Sequence, residues 1–433
     1  MKKNIFLLAM ILCPLFSFAQ EFRAAAENGD AEAQTKMGNY HFEKKEYTQA
    51  LEWYRKAEAQ GNAEAMIQIA ECYENGYGVT KDEKKGVEYE KKAAALGNAK
   101  AQYWLGITYN NGYGGEQQDY AKAVEWYRKA AEQGDAKAQC SLGNCYYDGE
   151  GVTQDYAKAV EWFRKAAEQG YAGAQAWLAY CYYVGNGVTQ DYAKAVEWYR
   201  KAAEQDSAEA QVTLGLCYFM GNGVTQDYAK AVEWYRKAAE QGYAWAQNNL
   251  GNCYYNGKGV TQDYAKAVEW YRKAAEQGDA KAQNSLGNCY YDGKGVTKNE
   301  SEALKWWQKA ADKGLEIARK NISDYHHQKE LDEQRRQEKR ELAAKEARII
   351  KQLGFSPLDH SLTYLVSSGR NFNAVYAYLE TFYFKGASYN FTLRSDFGNH
   401  KEYNLFKKIG NNRSQFVAIV SVSNNTITSV RWY

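Results

Sequence analysis

The sequence predicts a mainly α-helical protein: an α-solenoid of helix–loop–helix repeats, then a charged helix, then a small antiparallel α+β domain. Three observations predict it. The phrase DYAKAVEWYRKAAEQG at Asp119–Gly134 returns unchanged at Asp227–Gly242 and Asp263–Gly278, and with one substitution each at Asp155–Gly170 and Asp191–Asp206. Cys145, Cys181, Cys217, Cys253 and Cys289 stand 36 residues apart, and a fixed period of that size marks a stacked-repeat fold. The last 79 residues abandon the phrase for runs rich in Tyr, Phe, Val, Ile and Thr.

The chain opens MKKNIFLLAMILCPLFSFAQ. Lys2 and Lys3 give a basic start, Ile5–Phe18 an apolar run, and Ser17-Phe18-Ala19 the small side chains of a cleavage site. The run is too short to cross a bilayer, so residues 1–19 read as a signal peptide cut after Ala19. The expectation is an exported protein, periplasmic or secreted, with no integral membrane segment after cleavage. Without Lys2 and Lys3 the 55 basic residues fall to 53, equal to the acidic set. A balanced chain lacks the basic footprint that nucleic-acid binding requires. Only 2 prolines interrupt the 433 residues, which permits long helical runs.

Eight units span 29–61, 62–97, 98–134, 135–170, 171–206, 207–242, 243–278 and 279–314. In 135–170, Ala136, Ala138, Leu142 and Cys145 recur at helical spacing and form one small apolar face. Tyr147-Asp148-Gly149-Glu150-Gly151 breaks that helix with two glycines. Thr153 or Asp155 caps the second helix. Tyr156, Ala159, Trp162 or Phe163, and Ala166 face the core, Lys158, Glu161, Arg164 and Lys165 pair on the outside, and Gly170 ends the unit. One unit cannot bury its face alone; stacking buries it.

The pattern A-x-A-Q-x-x-L-G-x-C-Y-x-x-G-x-G-V-T-Q-D-Y-x-K-A-x-x-W-Y-x-K-A-A-x-Q-G resembles the Sel1-like repeat, a relative of the tetratricopeptide repeat, over roughly 29–323. The resemblance implies a right-handed α-solenoid that holds partner proteins, with the first helices lining its concave side, and implies no catalysis. One secreted branch of that family ties the two helices of each repeat with a disulfide. Here the units from 171 onward carry a single cysteine each. Equivalent residues of stacked helices lie ~8–10 Å apart, beyond the ~7 Å that a disulfide spans. The cysteines are therefore expected to be buried free thiols, with no disulfide.

Motifs for chemistry are absent. The G-x-G loops precede helices that begin with Asp155, Asp191, Asp227 and Asp263, whose carboxylates would compete with a phosphate for the helix end. His41, His326, His327, His360 and His400 fall in no metal-ligand spacing. No catalytic residue, cofactor or metal site is expected.

What changes between copies is one stripe of the first helix, repeat positions 3, 7, 10 and 14, whose offsets share a helical face. It reads Lys100, Trp104, Ile107, Asn111 in one unit and Lys137, Ser141, Asn144, Asp148 in the next. It then reads Gly173, Trp177, Tyr180, Val184; Glu209, Thr213, Leu216, Met220; and Trp245, Asn249, Asn252, Asn256. A face that packs on identical neighbours should repeat; one that varies meets something else. The candidate groove is therefore Trp177, Tyr180, Val184, Leu216, Met220 and Trp245, with Trp104 and Ile107 beside it, and its partner a protein or peptide held by aromatic and methionine anchors.

After a closing cap at Leu315–Ser323, the solenoid domain 20–323 gives way to a charged helical linker, 324–354, either a solvated spacer or a coiled-coil strand. In 355–433, Ser356-Pro357 reads as the start of a short helix. Strands are expected at Ala374–Phe384, Tyr389–Leu393, Tyr403–Lys408, Phe416–Val422 and Thr426–Trp432. This domain carries 8 basic against 4 acidic residues, and cell-envelope contact is expected of it. The leading expectation is an exported, non-catalytic scaffold. The alternative is an envelope enzyme whose catalytic part is 355–433, with the solenoid selecting substrates.

Overall fold

The computed structural model describes residues 22–352, 389–397, 400–409, 413–423 and 426–432. The signal-peptide reading, the helix near 356–366 and the strand at 374–384 lie outside them. A helical turn at 22–27 precedes eight helical hairpins. These are α1 (Ala31–Glu43) with α2 (Tyr47–Glu58), α3 (Ala63–Asn75) with α4 (Glu83–Ala95), and α5 (Ala99–Asn111) with α6 (Tyr120–Glu132). Next come α7 (Ala136–Asp148) with α8 (Tyr156–Glu168), α9 (Ala172–Val184) with α10 (Tyr192–Ala203), and α11 (Ala208–Met220) with α12 (Tyr228–Glu240). Then follow α13 (Ala244–Asn256) with α14 (Tyr264–Glu276), α15 (Ala280–Asp292) with α16 (Glu300–Asp312), and finally α17 (Glu316–Gln352). Each first helix packs on its own partner and on the second helix of the hairpin before it, so the core runs continuously from repeat to repeat.

Local chemistry fixes each hairpin. Asp135 caps α7 by accepting from the Ala138 amide, and Gly149 ends it in the left-handed region at φ 76°. The helix thus includes Tyr147 and Asp148, two residues further than the loop reading. Asp155, not Thr153, caps α8, accepting from the Lys158 amide at 3.0 Å. Lys158 pairs with that same carboxylate at 3.1 Å. The outward pairs among charged residues of α8 do not form: Arg164 donates to Tyr182 of the next repeat and Lys165 lies over the Trp162 ring. Phe163 rather than Trp162 is the buried aromatic, at 0% exposure beside Leu142 and Cys145. Full burial of a side chain such as Phe163 or Leu142 contributes roughly 1.5–3 kcal/mol.

A glutamine ladder accompanies this core. Gln139 is buried, donates to the Ala131 carbonyl one repeat back at 3.0 Å, and accepts from Gln169 at 2.8 Å. Gln102, Gln175, Gln211 and Gln247 repeat both bonds. Satisfied at both ends, a buried amide costs little and pins the register of neighbouring hairpins. The ladder stops at Gln283, whose Oε1 has no partner, because Lys313 stands where the other repeats have glutamine and donates instead to the Gly278 carbonyl.

The seven cysteines from Cys72 to Cys289 are free and buried. Burial pushes Cys72, Cys140, Cys145, Cys181 and Cys289 up to about 12, and Cys217 and Cys253 up to about 11. The second repeat departs from the pattern. Glu90 occupies the place of Tyr127 in the next repeat, is 6% exposed, and accepts from Thr108 at 2.9 Å. Burial, and then Glu74, pushes its carboxyl up to about 7.

The expected cap and charged linker form one unbroken helix, α17, because nothing between residues 316 and 352 removes a backbone donor. Compactness divides the chain after Arg319. In the second unit four strands, β1 (Tyr389–Phe397), β2 (His400–Ile409), β3 (Arg413–Ser423) and β4 (Thr426–Trp432), form an antiparallel meander in sequence order. The first three strands run past their expected ends into polar residues such as Ser395 and Asp396, since ladder pairing uses the backbone whatever the side chain.

Candidate protein-binding groove

The cavity on the first-helix face lies across α9 and α11, and holds about 470 Å³. Trp177, Tyr180, Leu216 and Trp245 of the varying stripe line it, with Tyr147, Tyr183 and Tyr199 completing its aromatic wall and Ser207, Glu209 and Thr213 its polar one. Trp177 meets Tyr180 edge-on at 5.9 Å and 87°, and Tyr147 at 5.3 Å. Tyr180 is 40% exposed. Thr213 is turned back, donating to the Glu209 carbonyl at 2.9 Å.

The other stripe residues lie elsewhere. Ile107 packs into the core of the third and fourth repeats, so it is a contact between neighbours rather than a groove residue. Trp104 is exposed beside Tyr103, one polar repeat away. Val184 and Met220 sit in the last turns of α9 and α11, outside the cavity, with Met220 58% exposed.

The repeats on either side show what was altered to make this groove. In three repeats with asparagine at position 10, its side chain accepts from the buried aromatic of the same hairpin: Tyr54 to Asn39 and Tyr271 to Asn252 at 2.8 Å, Trp307 to Asn288 at 2.9 Å. At the groove position 10 becomes Tyr180 and Leu216, and the facing hydroxyls of Tyr199 and Tyr235 have no such partner. Position 9 changes too. A Cβ on Gly143, Gly215 or Gly251 would come within 2.6–2.8 Å of the facing ring, yet the fifth repeat carries Ala179 there, fully buried. Its methyl requires the Tyr199 ring to sit differently from its counterparts, and Tyr199 is the second-helix aromatic that reaches the cavity. Burial, then Cys217 and Glu209, raises the Tyr199 hydroxyl above its ordinary range.

With the geometry in place, comparison with known proteins is informative. The family described as Sel1 repeat matches residues 31–62, 63–98, 99–135, 136–171, 172–207, 208–243, 246–279 and 280–315. This chain belongs to the Sel1 repeat family. The solved structure of c5321, a protective antigen present in uropathogenic Escherichia coli strains, is similar at 39% identity over 72% of this chain and 67% of that one, with a TM-score of 0.63. A Sel1 repeat protein from Oxalobacter formigenes is similar at 33% identity over 72% and 93%, with a TM-score of 0.54. No curated protein matches the sequence. Sel1 repeat solenoids are generally non-catalytic protein-interaction scaffolds. Among the described residues no helix of this Sel1 repeat protein is long and apolar enough to cross a membrane, and no cluster of His, Cys, Asp and Glu is arranged to hold a metal. Sequence reasoning passed over Tyr147, Tyr183 and Tyr199 because aromatics recur at those positions in other copies; the signal that could have found Tyr199 is Ala179 in place of glycine.

Proposed function

We propose that this protein is an exported, non-catalytic scaffold that seats a segment of a partner protein or peptide in the groove walled by Trp177, Tyr180, Leu216 and Trp245. The observation that carries the reading is the coordinated change at positions 9 and 10. Beside Ala179, Tyr180 and Leu216 forgo a bond from the facing aromatic to asparagine that three other repeats keep, two with tyrosine and one with tryptophan, and an unmade bond of this kind costs about 0.5–1.5 kcal/mol. In the third repeat Ile107 at the same position gains packing against its neighbour, whereas Tyr180 stays 40% exposed and is open to an apolar partner. The reading of residues 1–19 as a signal peptide supports export to the periplasm or beyond the cell. The second unit, with its excess of basic residues, supplies the envelope contact.

The test is site-specific photo-crosslinking in intact cells. A benzophenone amino acid at Leu216 should give a discrete adduct that Trp245→Ala diminishes, and the same group at Glu197, exposed on α10, should not. Equal adducts from both positions would remove the groove from the proposal. Mass spectrometry of the mature chain should find Gln20 at its N-terminus.

A further inference from the structure

A regular series of aromatic rings in this chain lies under its own lysines. Lys56, Lys129, Lys165, Lys201, Lys237, Lys273 and Lys309 lie 3.9–4.2 Å from the ring centres of Trp53, Trp126, Trp162, Trp198, Trp234, Trp270 and Trp306. The loops do the same. Lys258 lies over Phe219 and Tyr228, and Lys294 over Tyr255 and Tyr264, at 4.9–5.7 Å. At the groove this stops. The loop positions equivalent to Lys258 and Lys294 are Asn186 and Asn222, which donate to the Tyr147 and Tyr183 hydroxyls at 2.7 and 2.9 Å. Among the described residues no cation lies over Trp177, Tyr180, Tyr199 or Trp245.

Among the described residues, the groove also holds a carboxylate that no ion pair reaches. At repeat position 3, Glu64 and Lys100 of successive repeats pair at 3.2 Å, which shows that this position reaches its neighbour. Glu209 stands at the same position, but its neighbours there are Gly173 and Trp245, and neither can pair with it. Its charge is felt inside: after burial it raises Tyr243, and with Cys217 it raises Tyr199. Gly173 has no side chain to offer Glu209, and the Tyr171 ring lies 3.0–3.4 Å from where its Cβ would stand.

We propose that the groove takes a lysine or arginine side chain of the partner segment, its cation set against the Trp177 and Tyr180 rings and the Glu209 carboxylate. This rests on the groove reading above. Uncovered rings attract a cation through their quadrupoles, most strongly when it is desolvated, and a carboxylate that lacks a partner supplies the charge complement. The chain makes the same contact on itself through Lys258 and Lys294.

The experiment uses the full mature chain and nonapeptide pools with random flanks and one fixed central residue: Arg, Lys, citrulline or Ala. The Arg or Lys pool should bind about tenfold or more tightly than the citrulline and Ala pools. Glu209→Gln and Asn222→Lys should each reduce that preference to within about twofold. Asn222→Lys restores a residue that the seventh and eighth repeats already accommodate, so it should melt as the wild type does. Equal binding of all four pools, with Trp245→Ala weakening each, would overturn the cation and leave the groove standing. An undiminished preference in both variants would overturn the assigned site. Binding by no pool would overturn both readings.

Discussion

The ring of Phe163 lies against that of Trp177, centroids 5.6 Å apart and planes 8° from parallel. Phe163 is wholly buried and Trp177 half so. The groove wall is therefore the outer layer of the core. A truncation at Trp177 must damage both, and Trp177→Ala should lower unfolding free energy by about 1–3 kcal/mol while weakening partner binding. Tyr180→Ser, at a more exposed ring, should weaken binding with less than about 1 kcal/mol of destabilisation. Urea melts of the two variants check the order; equal costs would mean that Tyr180 is as much core as Trp177.

The same ring carries a second consequence. Phe163 replaces the tyrosine of neighbouring copies, and Asn144 Oδ1, which such a hydroxyl would reach, is buried without a partner. Phe163→Tyr supplies the donor and should stabilise the chain by about 1 kcal/mol. Leu216→Asn gives the Tyr235 hydroxyl the acceptor it lacks, but loses a half-buried leucine worth roughly 1 kcal/mol. Its stability should stay within about 1 kcal/mol of the wild type while partner capture falls. Leu216→Ala makes no compensating bond and should be the less stable of the two. Denaturant midpoints for the three variants decide it, and a destabilised Phe163→Tyr would show that Asn144 has no use for a donor.

The thiols give a chemical test. With Cys72 through Cys289 buried and pushed up to about 11–12, almost none is thiolate near neutral pH. Iodoacetamide should leave all seven unmodified in the folded chain and label all seven after denaturation. Peptide mapping that finds a disulfide, or fast labelling of any one, would contradict this.

Much of the fold was legible because repetition does the averaging that a single helix cannot: the Asp155-type caps, the glycine stops and the Ala–Leu–Cys face recur until their spacing is unambiguous. The glutamine ladder was not legible, since a glutamine in isolation reads as surface and only the stacked carbonyl of Ala131 makes Gln139 a core residue. In the site, contrast between copies pointed to Trp177 and Leu216 but equally to Ile107, because a varying position can be turned into a neighbour as easily as into solvent. The uncovered state of the rings depended on Asn186 and Asn222, which lie 39 residues from the tyrosines they contact. Only the stacked structure brings those pairs together.

The second repeat offers the sharpest dependence on pH. Glu90 stands in a buried aromatic position and faces Glu74, with Thr108 as its hydroxyl donor. Its ordinary value is 4.5, and burial followed by the Glu74 charge raises it to about 7. Glu74 is raised as well, by burial and then by Glu71 and Glu83. Between these values the folded chain keeps a proton that the unfolded chain has released, so raising the pH favours unfolding. The pair should therefore be most stabilising below about 4.5, lose that contribution as pH climbs to about 7, and stay flat above. Glu90→Gln is neutral at every pH and still offers Thr108 an oxygen to donate to. It should be more stable than the wild type by about 1–3 kcal/mol at pH 8, and the advantage should vanish near pH 4.5. The capping aspartates, whose carboxyls are held low by the helix amides, are common to both chains and cancel in the difference. Urea melts of both proteins across this range measure it directly, and two parallel pH profiles would mean that Glu90 is ionised in its buried place throughout.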